Sequence, residues 1–256
     1  MNIAVCFSGF LRNLEYIENI KHIPSIFSSN VESLTIYYSC PTKVEETDTE
    51  NFDKEYVLGL FKNQETDKIK INISFRDYDK NVFVEKSKEL GLPYITSTNY
   101  HSFRVVSCIN GQAETAKLIN TNNKYNFIIF TRLDFVKTIN SIGNIFDNTS
   151  ILKNETYIWR TIPYISSGEL AYHAEDRFFI GSNECVDIMK ELYNNLEEIN
   201  IPENQFGSEI IVGACFNLYE NIQKHHLYNL HVSSMFNGYT EHRVRLKYTK
   251  DFLESM

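Results

Sequence analysis

The sequence predicts an α/β protein in which helices flank a central, mixed but mostly parallel sheet. Apolar runs alternate with segments of helical spacing through the first half of the chain, a pattern typical of parallel strands joined by helices. Two of these runs, NIAVCFS (residues 2–8) and FIIF (residues 127–130), are continuous, as expected for strands buried on both faces. The chain has 256 residues, 43% of them hydrophobic, and no stretch that resembles a linker, so we expect a single domain over residues 1–256.

The first half contains three predicted strands and two predicted helices. The first strand stops at Ser8-Gly9, and the apolar residues that follow recur at helical spacing from Phe10 to Ile20. SLTIYYS (residues 33–39) predicts a second strand, and KIKINISF (residues 68–75) predicts a third with one face in water. The acidic stretch over residues 44–55 indicates a solvated loop or the start of a helix. A long helix is expected from about Tyr100 to Asn120.

The second half begins with the strand FIIFTRLD (residues 127–134). Further strands are predicted at ETYIW (155–159), DRFFIGS (176–182) and LYNLHVSS (227–234). Two amphipathic helices are predicted over residues 183–196 and 208–222, with a break around Pro202. The segment EHRVRLKY (241–248) is a basic tail.

Composition restricts the classes of function. The formal net charge of −8 argues against non-specific binding of nucleic acid, which needs a basic face. Five scattered cysteines without metal-ligand spacing indicate reduced, mostly buried thiols in a cytoplasmic protein. Because no signal peptide and no apolar run of membrane-spanning length are visible, we expect a soluble protein, or at most one peripheral to a membrane.

Polar residues follow two of the predicted parallel strands. Ser8-Gly9 ends the first strand, and Arg132 and Asp134 end the strand FIIFTRLD. Ligands of parallel sheets bind beyond the carboxyl ends of the strands, so these residues are expected at one edge. Residues two apart in an extended segment point the same way, which brings the guanidinium and the carboxylate together. They form either a local ion pair or part of a site in which Asp134 binds a divalent cation.

The apolar strand that leads into TRLDF resembles the corresponding strand of GT-A nucleotide-sugar glycosyltransferases, in the small bacterial and large-virus members that make surface glycans. In that superfamily this strand ends in Asp-x-Asp, which holds the metal and the sugar nucleotide. The resemblance implies a Rossmann-like domain, a nucleotide-sugar donor, and Mn²⁺ or Mg²⁺ held by Asp134. Arg132 stands in place of the first aspartate, where it could itself offset diphosphate charge.

The same resemblance implies roles for other residues. Ser8, Gly9 and Arg12 match the loop that cradles the nucleoside, although a Ser-Gly at a strand end is also an ordinary turn. In HAEDRFFIGS, Asp176 matches the catalytic base of inverting enzymes with Glu175 as the alternate, although an isolated Glu-Asp pair also caps helices. His231 matches a late histidine that ligates the metal, although a lone histidine on a strand is more often a core residue. The resemblance also implies that Arg104 and Lys117 contact the donor in its pocket.

The resemblance implies a glycosyltransferase that passes a sugar, with inversion, from a nucleoside-diphosphate donor to a hydroxyl of a glycan or glycolipid in the synthesis of surface polysaccharide. It divides the domain into a nucleotide-binding half (residues 1–136) and an acceptor and catalytic half (residues 137–256). Two alternatives stay open: a capsule-type sugar-phosphate transferase, and a glycosyltransferase-like domain used for binding or scaffolding. A P-loop enzyme is disfavoured because no GxxxxGK occurs.

Overall fold

The computed structural model describes eleven parts of the chain. They comprise residues 1–27, 31–44, 51–92, 102–138, 155–158, 164–166, 169–171, 178–181, 183, 185–199 and 223–226. Seven strands from these parts form one sheet and two form a small antiparallel hairpin, with helices on both sides of the large sheet. The predicted α/β class with a mixed sheet and flanking helices is therefore confirmed.

The members of the large sheet are β1 (Asn2–Ser8), β2 (Ser33–Pro41), β3 (Ile69–Arg76), β4 (Phe127–Arg132), β5 (Glu155–Ile158), β8 (Phe178–Gly181) and β9 (Gln223–His226). Their order across the sheet is β3-β2-β1-β4-β8-β5-β9. The first four run parallel to one another, β8 is antiparallel to both β4 and β5, and β9 is parallel to β5. The hairpin pairs β6 (Tyr164–Ser166) with β7 (Glu169–Ala171).

The helices lie between these strands along the chain. Among the described residues, the α-helices are α1 (Lys54–Lys62), α2 (Lys80–Glu89), α3 (Ser102–Lys117) and α4 (Cys185–Glu191). In the same ranges, three 3-10 helices cover Leu14–Ile26, Leu133–Thr138 and Asn194–Glu197. Within the described ranges, none of the helices has both the length and the apolar character needed to cross a bilayer.

Both faces of the parallel strands are buried, which explains the continuous apolar runs of β1 and β4. Odd positions of β1, such as Phe7, pack with the 3-10 helix Leu14–Ile26 and α1. Even positions, such as Cys6, pack with α3 and α4 on the other face. Because neighbouring strand residues point to opposite faces, an apolar side chain is required at every position of such a strand.

Most predicted elements of the described chain are present, with shifted ends. The strand predicted over residues 33–39 runs on to Pro41, and the one predicted over 68–75 runs from Ile69 to Arg76. The helix predicted from Tyr100 to Asn120 covers Ser102–Lys117. The acidic stretch does end in a helix start, because the Asp53 carboxylate accepts hydrogen bonds from the first backbone amides of α1.

Other elements differ from the sequence predictions, and α2 and the hairpin of β6 and β7 were not predicted. The helix predicted from Phe10 begins at Leu14 and is a 3-10 helix, capped by Asn13. The strand predicted through residue 134 ends at Arg132, so Asp134 lies in a 3-10 helix rather than in an extended segment. Gln223–His226 forms a strand that the sequence did not predict. The predicted elements at residues 208–222 and 227–234 lie outside the described residues.

Candidate functional site

Residues from four parallel strands meet at the carboxyl edge of the sheet. The register places Ser8 of β1 opposite Arg132 of β4, and Pro41 of β2 opposite Arg76 of β3. In a parallel sheet the space beyond this edge is where ligands bind. We call the group formed by Gly9, Tyr38, Arg76, Arg132 and Asp134 the carboxyl-edge site.

Arg132 and Asp134 form a two-point ion pair in the site. Arg132 Nε donates to Asp134 Oδ1 at 3.0 Å, and Arg132 Nη2 donates to Asp134 Oδ2 at 2.5 Å. Both side chains are partly exposed, at 29% and 27%. The predicted proximity of the two groups is confirmed, but its cause is different, because the turn into the 3-10 helix brings Asp134 back toward the end of β4. A pair joined at two points holds both groups in a fixed orientation at the mouth of the sheet.

Gly9 begins the loop after β1 in a backbone conformation that favours glycine. Its φ is +89°, in the region where a Cβ atom causes strain. The Gly9 carbonyl accepts a hydrogen bond of 2.9 Å from the Tyr38 hydroxyl. Tyr38 is fully buried and packs edge-on against Phe7, with ring centroids 6.1 Å apart. The Tyr38 hydroxyl therefore ties the loop after β1 to β2.

Tyr38 is also within electrostatic reach of both signs of charge in the site. Burial raises the pKa of the Tyr38 hydroxyl well above its ordinary value, and Asp134 adds to this rise while Arg76 opposes it. The hydroxyl therefore stays protonated at neutral pH and keeps its hydrogen bond to Gly9. Cys40, two residues further, is similarly unreactive because burial raises the pKa of its thiol to about 12.

Arg76 ends β3 with a guanidinium that is only weakly satisfied. Its Nε donates to the Ser39 carbonyl and its Nη1 donates to Asn110 Oδ1, both at 3.4 Å, beyond the usual range of about 2.7–3.2 Å. Burial is the main cause that lowers the pKa of Arg76 from its ordinary value. Among the described residues, no carboxylate forms an ion pair with this guanidinium, but Glu114 of α3 acts on it electrostatically from a greater distance. The cation is partly buried against neutral acceptors.

A glycine in the middle of α3 makes room for Arg76. A Cβ atom on Gly111 would lie 3.1 Å from Arg76 Nη2 and 3.8 Å from the backbone nitrogen of Gly9. Glycine within a helix costs about 1 kcal/mol relative to alanine. Here the missing side chain lets the guanidinium and the loop after β1 approach the same point of the helix.

Thr115 connects α3 to the strands directly beneath the site. Its hydroxyl donates to the Phe7 carbonyl at 2.8 Å and accepts from the Ser39 amide at 3.0 Å. All three residues are buried, so water does not compete for these groups. The hydroxyl thereby fixes the ends of β1 and β2 relative to each other.

The remaining predicted contacts have varied surroundings. Ser8 is buried, with 6% of its surface exposed. Arg12 and Arg104 are exposed, and Lys117 is exposed and pairs with Glu114 of its own helix at 2.7 Å. Their roles toward a donor stay predictions.

Three predicted residues lie outside the part of the chain that the structure describes. They are the candidate bases Asp176 and Glu175, and the candidate metal ligand His231. Their roles also stay predictions.

Sequence reasoning missed Arg76, Gly111 and Tyr38. A usable signal existed for Arg76, because it directly follows the predicted strand KIKINISF, as Ser8 and Arg132 follow theirs. The same rule of carboxyl ends applies to all three strands. Gly111 and Tyr38 gave no comparable signal, since their importance depends on which side chains they meet.

The described residues do not by themselves form a fitting site for a divalent cation. Asp134 contributes the carboxylate at this edge, but both of its oxygens already accept from Arg132. No group of three or more histidine, cysteine, aspartate or glutamate side chains with suitable spacing for a metal occurs in the described ranges. A cation at Asp134 would compete with a guanidinium and would need ligands from elsewhere in the chain.

Comparisons with known proteins give similarity of low degree. No protein-family model and no curated protein sequence matches the chain. Mouse xyloside xylosyltransferase 1, in its apo form, is similar in structure with a TM-score of 0.42 and 11% identity, over 88% of this chain and 84% of that one. A 4-diphosphocytidyl-2C-methyl-D-erythritol synthase is similar with a TM-score of 0.38 and 12% identity, over 96% and 97%. Similarity at this level does not indicate an activity.

Proposed function

We propose that the chain is a GT-A-type glycosyltransferase that moves a sugar from a nucleoside-diphosphate donor to a hydroxyl of a glycan or glycolipid. The supporting observation is that Arg76 at the end of β3 and Arg132 at the end of β4 place two guanidinium groups at the carboxyl edge, where Asp134 pairs with Arg132 and Glu114 of α3 acts on Arg76 from beyond ion-pairing distance. The whole chain carries a formal charge of −8, so two arginines at one edge of the sheet are not a consequence of an overall basic composition. A diphosphate is a ligand of matching charge and geometry.

The proposed reaction is a displacement at the anomeric carbon. The acceptor oxygen forms a bond to this carbon, the bond to the diphosphate oxygen breaks, and the diphosphate leaves with the electron pair. Arg132 and Arg76 offset the charge that develops on the leaving group. Asp176 takes the proton of the acceptor hydroxyl, with Glu175 as the alternate base, and attack opposite the diphosphate inverts the configuration.

We place this reaction in the synthesis of surface polysaccharide in the cytoplasm, with the donor bound by residues 1–136 and the acceptor by residues 137–256. The proposed reaction does not require the predicted cation at Asp134, for which His231 would be a further ligand. Its ligands among the described residues are insufficient, and the proposed charge compensation by arginine does not depend on it. A titration with Mn²⁺ in the presence of the nucleotide decides whether a cation adds to the charge compensation by the arginines.

The proposal predicts that one family of nucleotides stabilises the folded chain. A ligand at 100 times its dissociation constant stabilises by about 2.7 kcal/mol, which raises the melting midpoint by about 5–10 °C for a chain of this size. We expect such a rise with one of UDP, GDP, CDP or ADP, or with a corresponding nucleotide sugar. The measurement is a thermal melt against this panel, with and without Mn²⁺.

Two variants test whether the nucleotide-induced rise of the melting midpoint involves Asp134. Asp134→Ala removes the partner of Arg132 and is expected to change the nucleotide response. Asp187→Ala is the matched control, because Asp187 is an exposed aspartate that pairs with Lys190 of its own helix. A rise that needs both Mn²⁺ and Asp134 would establish the cation. If no nucleotide changes the midpoint of the native chain, the transferase proposal is wrong and a scaffolding role is favoured.

A further inference from the structure

Among the described basic residues compared below, Arg76 differs in the partners of its charged group. The lysines on helix surfaces, such as Lys88 and Lys117, pair with a glutamate of the same helix. Arg132 has Asp134. Arg76 instead is partly buried, and its two hydrogen bonds are long and go to neutral oxygens. Placing a cation in such surroundings is unfavourable for the protein alone, because burial removes water while the counter-charge of Glu114 lies beyond ion-pairing distance and is shared with Lys117.

The Arg76 guanidinium lies at the carboxyl edge and is in contact with both β2 and α3. A guanidinium has five N–H groups, and the hydrogen bonds of Arg76 involve Nε and Nη1. A Cβ atom on Gly111 would lie 3.1 Å from Nη2 and 3.8 Å from the Gly9 nitrogen, so Nη2 and the Gly9 backbone both approach the same point of α3. The guanidinium therefore lies between β2 and α3, and part of its hydrogen-bonding capacity is available.

We infer that Arg76 is the residue that binds the diphosphate of the donor, between the Gly9 loop and the Arg132–Asp134 pair. This inference rests on the proposed function for the identity of the ligand. The guanidinium of Arg132 is already engaged at two points by Asp134, whereas Arg76 has no carboxylate partner among the described residues. A phosphate oxygen would supply a counter-charge in direct contact, which no described residue provides, and Gly111 is the position that gives the fork its room.

Titration calorimetry in EDTA tests this inference without a contribution from divalent cations. The probes are the nucleoside diphosphate that most stabilises the native chain among UDP, GDP, CDP and ADP, the corresponding nucleoside, and inorganic pyrophosphate. Arg76→Met is expected to weaken binding of the nucleoside diphosphate and of pyrophosphate by about 10- to 100-fold, the range for a hydrogen bond to a charged group. Binding of the nucleoside alone should be unchanged.

Three further variants serve as controls. Lys70→Met removes a positive charge from an exposed position of the same strand and should leave all three affinities unchanged. Arg76→Lys keeps the charge but not the fork, and is expected to recover only part of the lost affinity. Gly111→Ala crowds Nη2 without removing the guanidinium, so a smaller loss in the same direction is expected while the helix itself becomes more stable.

The outcomes separate this inference from the proposed function. If the native chain binds a nucleoside diphosphate and Arg76→Met binds it equally well, the role of Arg76 is wrong while the transferase proposal stands. If nucleotides do not bind but pyrophosphate binds through Arg76, the anion site stands and the transferase proposal fails. If Arg76→Met weakens the nucleoside as much as the diphosphate, Arg76 supports the structure only, which overturns the inference.

Discussion

Replacing Thr115 by valine is expected to lower the free energy of unfolding by about 2–5 kcal/mol, because two buried groups lose their partner. The Ser39 amide and the Phe7 carbonyl both depend on the Thr115 hydroxyl, and valine has nearly the same shape without it. Leaving a buried donor or acceptor unpaired costs about 1–3 kcal/mol for each group. The measurement is chemical denaturation of native and variant chains.

Thr115→Ser is the matched control for this effect. Serine keeps the hydroxyl and loses only a methyl group, so its cost should stay near 1 kcal/mol, the value for about one buried carbon. A Thr115→Val chain that unfolds within about 0.5 kcal/mol of the native chain would show that the two backbone groups find other partners. The account of how α3 fixes the ends of β1 and β2 would then be wrong.

Replacing Phe7 by alanine is expected to cost about 3–5 kcal/mol, the range for removing a buried aromatic ring. Phe7 is fully buried, and its ring packs edge-on against Tyr38, which in turn packs against Phe61 at 5.9 Å. A cavity at this place also frees Tyr38, whose hydroxyl holds Gly9. We therefore expect the variant to lose nucleotide binding in addition to stability.

Two controls accompany the Phe7 variant in denaturation and in nucleotide binding. Tyr56→Ala removes an aromatic ring that is 58% exposed, and its cost should stay below about 1 kcal/mol. Tyr38→Phe keeps the packed ring but deletes the hydrogen bond to Gly9, at a cost of about 1 kcal/mol. Should Phe7→Ala unfold like the Tyr56 control, the ring would not be part of the core beneath the site.

The strands that the sequence predicted best are those whose side chains are apolar on both faces. β1 and β4 are buried between two layers of helices, and this requires a continuous run that is visible without a structure. α3 was predicted because its apolar positions recur with helical spacing. α2 was not predicted, since among its ten residues only Phe83 and Ser87 are buried and no apolar stripe results.

The elements and contacts that could not be predicted from the sequence depend on tertiary structure. Gln223–His226 is a strand because it pairs with β5, although its residues QKHH have no strand pattern. The contact between Arg132 and Asp134 was predicted from strand geometry, but the turn into a 3-10 helix produces it. Arg76 was missed because the predicted third strand was expected to have one face in water, and a charged residue at its end did not stand out.

The most direct test of the transferase proposal is release of the nucleoside diphosphate from its sugar donor. The nucleotide sugar that stabilises the native chain is incubated with hydroxyl-bearing glycan acceptors, and the nucleoside diphosphate is quantified by chromatography for native and Asp176→Asn chains. The account predicts release that depends on the acceptor and that falls about 100-fold or more in Asp176→Asn, the range for loss of a general base. A native chain that binds the donor but releases no diphosphate with any acceptor would contradict the account and leave a binding domain.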